Sequence, residues 1–212
     1  MHYPPRPEEL ERMSGRDLAE CFLIRDLFPS GALRMRAAGL DRMVVGATVS
    51  SGELRLPPCE EFGTRYFTER RELGIVNIGE PGEVRVGNRT FPLGKLDFRK
   101  YIYPQGIRSC QLTMGYTELA AGNVWNTMPA HTHGRRSEVY LYFDLDDGFV
   151  VHFLGRPDNT RHLMVRDRQA VLSPPWSVHF GAGDRMYRLI WGMVGENQDF
   201  EDMEVVDNRD LR

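Results

Sequence analysis

The chain has 212 residues, 41% of them hydrophobic, and a formal net charge of -3 at pH 7. Its lysines and arginines form no patch or stripe, so the usual electrostatic footprint of a nucleic-acid-binding protein is missing. Mean hydropathy is -0.44, and no apolar run approaches the roughly 20 residues of a membrane-spanning helix.

Residues 1–14 read as an arm or short helix rich in Pro and Glu. They lack the basic, apolar, small-residue order of a secretory leader, so a cytoplasmic location is expected. Residues 16–27, with Leu18, Cys21, Phe22 and Ile24 apolar, predict a short helix running into a strand. Residues 41–49 carry Met43, Val44, Val45 and Val49, a buried-strand pattern. Residues 65–78 form a further apolar stretch that ends at Gly79, Pro81 and Gly82. Val84, Val86 and Phe91 alternate around Gly87-Asn88, a hairpin signal. From Ser109 onward, short strands are predicted at 111–119, 138–144, 149–154, 161–165, 170–173 and 186–191. The first two of the last five are joined at the Asp146-Asp147-Gly148 turn. Many short strands punctuated by Gly, Pro and Asp argue for an all-β sandwich or barrel. Cys21, Cys59 and Cys110 are odd in number and contain no CxxC pair. They read as free thiols in a reducing compartment, most of them small buried hydrophobes.

The sharpest chemical signal is His131-Thr132-His133 followed by Glu138. Residues two apart on a strand share a face, so both imidazoles can point one way. A turn over the four-residue link 134–137 would fold the Glu138 carboxylate back toward them. Two imidazoles and a carboxylate suit a divalent first-row metal, and His179, preceded by Pro174 and Trp176, is the natural fourth ligand. Each of these side chains also has an ordinary structural reading, as a satisfied histidine or a solvated charge.

The spacing of Gly122, His131, His133, Glu138 and Gly148 resembles the first cupin motif, and 174–179 resembles the second. The stretch from Trp125 to Tyr140 resembles the metal loop of the 5-keto-4-deoxyuronate isomerase (4-deoxy-L-threo-5-hexosulose-uronate ketol-isomerase) family. Residues 66–74 and 76–79 are similar to that family's N-terminal half, and 190–198 to its C-terminal signature. The resemblance implies an all-β cupin (jelly-roll) fold in a bicupin arrangement. It implies one zinc ion held by His131, His133, Glu138 and His179, a homohexamer, and a sugar-acid substrate in pectin or uronate breakdown. The chain is shorter than such proteins, with the shortfall placed near residues 93–99. A partial N-terminal domain (1–98) and a complete metal-binding domain (99–212) are therefore expected.

The implied reaction is an aldose–ketose isomerisation through an enediol, which requires a proton-transferring base. Glu196 and His152 are the candidates. Tyr140, Tyr142 and Gln111 are candidate lining residues, and Arg135, Arg136 and Arg161 are candidate partners for the substrate carboxylate. Two other classes fit a cupin with three histidines and a glutamate: an iron-dependent dioxygenase, and a non-catalytic sugar-acid-binding protein.

Overall fold

The computed structural model describes all residues except 1–2, 59, 61–62, 95–99, 103–108, 197–198 and 200; of the side chains of 100–102 nothing is stated. A 3-10 helix, Pro7–Arg12, leads to helix α1, Gly15–Phe22. Ser14 caps α1: its hydroxyl accepts the Asp17 N–H at 3.2 Å, and the Asp17 carboxylate accepts the Ser14 N–H at 2.8 Å, a reciprocal capping box. The chain runs directly into β1 (Leu23–Ile24), as the sequence predicts.

Two hairpins follow. The first joins β2 (Leu33–Ala37) to β3 (Val44–Thr48), and the second joins β4 (Gly82–Val86) to β5 (Arg89–Leu93). In the second, Gly87 takes a φ of 57° at the first position of the two-residue loop, where the left-handed region favours glycine. The apolar stretch 65–78 forms turns and irregular backbone rather than a strand. Val76 and Ile78 nevertheless pack against Tyr116, Phe143 and Ile190.

The remaining strands are β6 (Lys100–Ile102), β7 (Leu112–Glu118), β8 (Trp125–Asn126), β9 (His131–Thr132), β10 (Arg136–Phe143) and β11 (Val150–Arg156). They continue as β12 (Asn159–Val165), β13 (Gln169–Ser173), β14 (Val178–Gly183), β15 (Arg188–Gly195) and β16 (Glu204–Val205). Apart from β9 and β16, which pair with each other, they join β1 in two antiparallel sheets, one ordered β1-β13-β10-β15-β7-β6 and the other β12-β11-β14-β8. The chain crosses repeatedly between the sheets, giving an all-β fold of jelly-roll type.

The core lies between the two sheets. Tyr140 and Tyr142 from β10, Leu189, Trp191 and Met193 from β15, and Val150 and Leu154 from β11 meet there. The opposite face of β10 is apolar too. Val139 and Leu141 pack with Ile24, Leu27, Ala38 and Leu40 from the N-terminal part. A strand covered on both faces reads as a continuous apolar run, which is how β10 reads. Gly115 on β7 faces Trp191, and an added Cβ would lie 2.1 Å from the indole ring. Only glycine lets that ring lie flat across the neighbouring strand.

The packing crosses the expected boundary at residue 98. Leu10, Leu18 and Phe22 are buried in the same cluster as Tyr142 and Leu154, and β1 pairs with β13. Among the described residues, the rest of the N-terminal part forms two separate hairpins and no closed barrel. Cys21 is half-buried and Cys110 exposed, both free. Cys59 lies outside the described residues. No described helix is long and apolar enough to cross a membrane.

Candidate metal centre

His131 lies on β9, which pairs with β16 and belongs to neither large sheet. His133 follows it, and a tight turn, in which the Arg136 N–H donates to the His133 carbonyl at 3.2 Å, reverses the chain into β10. Glu138, the third residue of β10, therefore faces back toward the two histidines. His179 arrives from the other sheet, on β14 opposite Leu154 of β11. Each of the four is at most 9% exposed.

Their tips converge. His179 Nε2 is 3.3 Å from His131 Nε2 and 3.0 Å from Glu138 Oε2, and His133 Nε2 is 3.5 Å from the same oxygen. Bonds of about 2.0–2.1 Å to one ion space neighbouring donors roughly 2.9–3.4 Å apart, from octahedral to tetrahedral geometry. The three imidazoles form a buried group able to hold a metal ion.

The other ring nitrogens show why. His131 Nδ1 is 3.0 Å from the Pro129 carbonyl, His133 Nδ1 is 3.2 Å from that of Asp202, and His179 Nδ1 is 3.2 Å from that of Ser177. A carbonyl only accepts, so the His131 and His179 rings place the proton on Nδ1 and turn an Nε2 lone pair inward; His133 Nδ1 also lies 3.0 Å from Arg136 Nη2, which only donates, so its proton is not fixed by the carbonyl. Three Nε2 atoms gathered at one buried point, beside a carboxylate oxygen with no hydrogen bond of good geometry, fit a cation. Burial, together with His179, depresses the His131 pKa to about 4. Glu138 is driven up by burial but is held below the usual carboxylate range by His179 and His133. Both groups thus stay in the form that binds a metal.

Other expected site residues divide. Tyr140 and Tyr142 are buried beside the centre, and the Tyr140 ring centroid lies 5.6 Å from those of His179 and His152. His152 is fully buried, with Nδ1 2.7 Å from the Tyr142 hydroxyl. Arg136 is buried behind His133 and donates to the Asp202 carbonyl at 2.8 Å, the acceptor that His133 Nδ1 also uses.

The rest lie elsewhere. Arg135 is exposed on the turn before β10. Glu196 is exposed past the end of β15, where its N–H donates to the Arg135 carbonyl at 3.3 Å. Gln111 is exposed, and its N–H donates to Glu72 at 2.9 Å. Arg161 donates to the carbonyls of Leu10 and, at 2.7 Å, Met13; it pins the N-terminal 3-10 helix. Arg135, Glu196 and Gln111 are thus exposed, and Arg161 is engaged by the N-terminal segment. Asn126, Thr127, Tyr187 and Asp202 were not anticipated. Thr127 Oγ1 meets the Tyr140 hydroxyl at 3.3 Å, and Asn126 donates to Tyr187 at 2.6 Å. Asn126 and Thr127 lie within the Trp125–Tyr140 stretch, the one signal available for them.

Residues 97–208 match the model of the KduI/IolB family. A 4-deoxy-L-threo-5-hexosulose-uronate ketol-isomerase of Opitutus terrae is 43% identical over 272 positions, covering 100% of this chain and 99% of that protein. The chain belongs to the KduI/IolB family. Proteins of the same name from Halalkalibacterium halodurans and Lachnoclostridium phytofermentans are 38% and 37% identical, covering 99% and 97% of this chain and the same shares of their own lengths. The Opitutus alignment runs over 272 positions against the 212 residues here, so that KduI/IolB relative carries sequence with no counterpart in this chain. Among solved structures, an oxalate oxidase in complex with glycolate matches with a TM-score of 0.35 at 21% identity, over 45% of this chain and 46% of that one.

Proposed function

We propose that this protein is a ketol-isomerase that interconverts 5-dehydro-4-deoxy-D-glucuronate and 3-deoxy-D-glycero-2,5-hexodiulosonate, in the cytoplasmic breakdown of pectin-derived uronates. The observation that carries the reading is the full-length similarity to ketol-isomerases combined with three buried imidazoles whose Nε2 atoms converge. His131, His133, Glu138 and His179 would hold one divalent ion, zinc by the preference of a nitrogen-and-oxygen donor set. When bound there, the ion supplies a Lewis acid for negative charge developing on substrate oxygens.

The reaction moves a proton from C2 to C1 and another between the two oxygens, with no net gain or loss. The chain's own residues prepare the site for it. Backbone carbonyls hold His131 and His179 in one tautomer. Tyr140, Tyr142 and the flanking strands exclude water, which strengthens every electrostatic contact inside. The exposed Glu196 is not poised as a base. A homohexamer is proposed for the assembly, with the β4–β5 hairpin covered by a neighbouring subunit.

The test is incubation of purified protein with the unsaturated galacturonate released by a pectin lyase, with and without chelator, followed by NMR. The expected outcome is conversion that stops with chelator and returns with zinc. Turnover that instead needs iron and oxygen would identify a dioxygenase, and ligand binding without turnover would identify a sugar-acid-binding protein.

A further inference from the structure

A second imidazole environment lies in the barrel interior beside the metal centre, and it is polarised the opposite way. His152 on β11 pairs with Gly181 of β14, while His179 of β14 pairs with Leu154 of β11. The two histidines are therefore diagonal neighbours on one sheet face. Tyr140 stands 5.6 Å, centroid to centroid, from each ring.

The hydrogen bonds around His152 have a readable direction. Tyr187 has its proton within reach of the Val124 carbonyl at 3.2 Å and the Gly181 carbonyl at 3.4 Å, and it accepts from the Asn126 amide at 2.6 Å. Tyr142 lies 3.4 Å from that amide but 2.7 Å from His152 Nδ1. Whichever way the amide is turned, the near partner takes the Tyr142 proton, because a hydroxyl bond at 3.4 Å is beyond the ordinary range. His152 Nδ1 then accepts, and a neutral imidazole that accepts at Nδ1 carries its proton on Nε2. That Nε2 is buried and has no hydrogen-bond partner, in a residue with no exposed surface. A buried donor without an acceptor is costly and rare; it persists where a ligand supplies the acceptor.

We infer that His152 is a catalytic hydrogen-bond donor, whose Nε2–H takes the substrate oxygen that becomes negatively charged, and that Tyr142 is the positioning residue that sets its tautomer. The inference rests on the isomerase reading for the identity of that oxygen. It changes the role expected from sequence: an imidazole protonated at Nε2 toward the substrate cannot also accept the C2 proton there. Burial, followed by the nearby His179, depresses the His152 pKa to about 3, which keeps the ring neutral under ordinary conditions.

The test has a spectroscopic arm and a kinetic arm. In 15N-labelled, zinc-loaded protein without substrate, long-range 1H–15N spectra should show His152 protonated at Nε2; protonation at Nδ1 would overturn the inference. His152→Asn keeps a partner for Tyr142 but lacks a donor at the Nε2 position. It should lower kcat by about 10²–10³-fold, the usual cost of one lost oxyanion donor, with metal content and KM little changed. His152→Gln, whose amide extends to the Nε2 position, should recover part of the rate. A His152→Asn protein within about threefold of wild-type kcat, or one that loses metal in step with rate, would also overturn it. Absence of turnover by the wild type would refute the isomerase reading alone, since the spectrum needs no substrate.

Discussion

Glu138 brings the single negative charge to a centre of three imidazoles, and it does so at 3% exposure. Replacing it with Gln keeps the shape and removes the charge. Metal content should fall, and excess zinc should restore part of the activity. Full zinc occupancy with complete loss of proton exchange at C2 would instead make Glu138 the base. His152 yields a different prediction, on stability. Its folded pKa is about 3 against an ordinary value of 6.5, so between those values the unfolded chain binds a proton that the folded chain refuses. Stability contributed by neutral His152 is complete above about pH 6.5 and is lost as pH falls toward 3. His152→Phe should therefore flatten the acid limb of a Tm-against-pH curve over that window; an unchanged slope would contradict it. At this scale the sequence was informative wherever a side chain's direction follows from strand parity, as for His131, His133, Glu138, Tyr140 and Tyr142. It was uninformative for Arg161 and Gln111. Arg161's partner Leu10 lies 151 positions away, and no local pattern encodes such a contact.

Among the elements, those with a repeating apolar pattern or a defined turn were legible. The Gly87 hairpin, the helix running into β1, and the strands from β10 to β13 and at β15 stand close to where the periodicity places them. The two-residue strands β8 and β16 were not, since two residues cannot show a period. In the 65–78 stretch, Val76 and Ile78 owe their partial burial to the outer face of a sheet rather than to pairing of their own. Helix α1 is a part of the core by the same logic. Phe22 is fully buried, and Phe22→Ala should cost about 3–5 kcal/mol, read as a lower denaturation midpoint with unchanged m. A cost under about 1 kcal/mol would mean that α1 sits on the barrel without stabilising it.

The molecule as a whole has an uneven surface. Val86 is 60% exposed and Phe91 43% exposed on a hairpin that pairs with no other described strand. Open edges with apolar side chains invite a second chain. The expected result is an oligomer at micromolar concentration with slow amide exchange on this hairpin; a monomer by light scattering would refute it.

The N-terminal segment has a consequence for how the chain reaches its native state. Leu10, Leu18 and Phe22 belong in a core whose other walls are drawn from residues 119–193, and Leu23 and Ile24 seal the edge of β13. During synthesis Leu10, Leu18 and Phe22 must therefore wait, greasy side uncovered, until their partners up to Met193 have left the ribosome. Such distant partners slow folding, and the same delay means that residues 99–212 expressed alone would bear an unsealed β13 edge and an unfilled hollow.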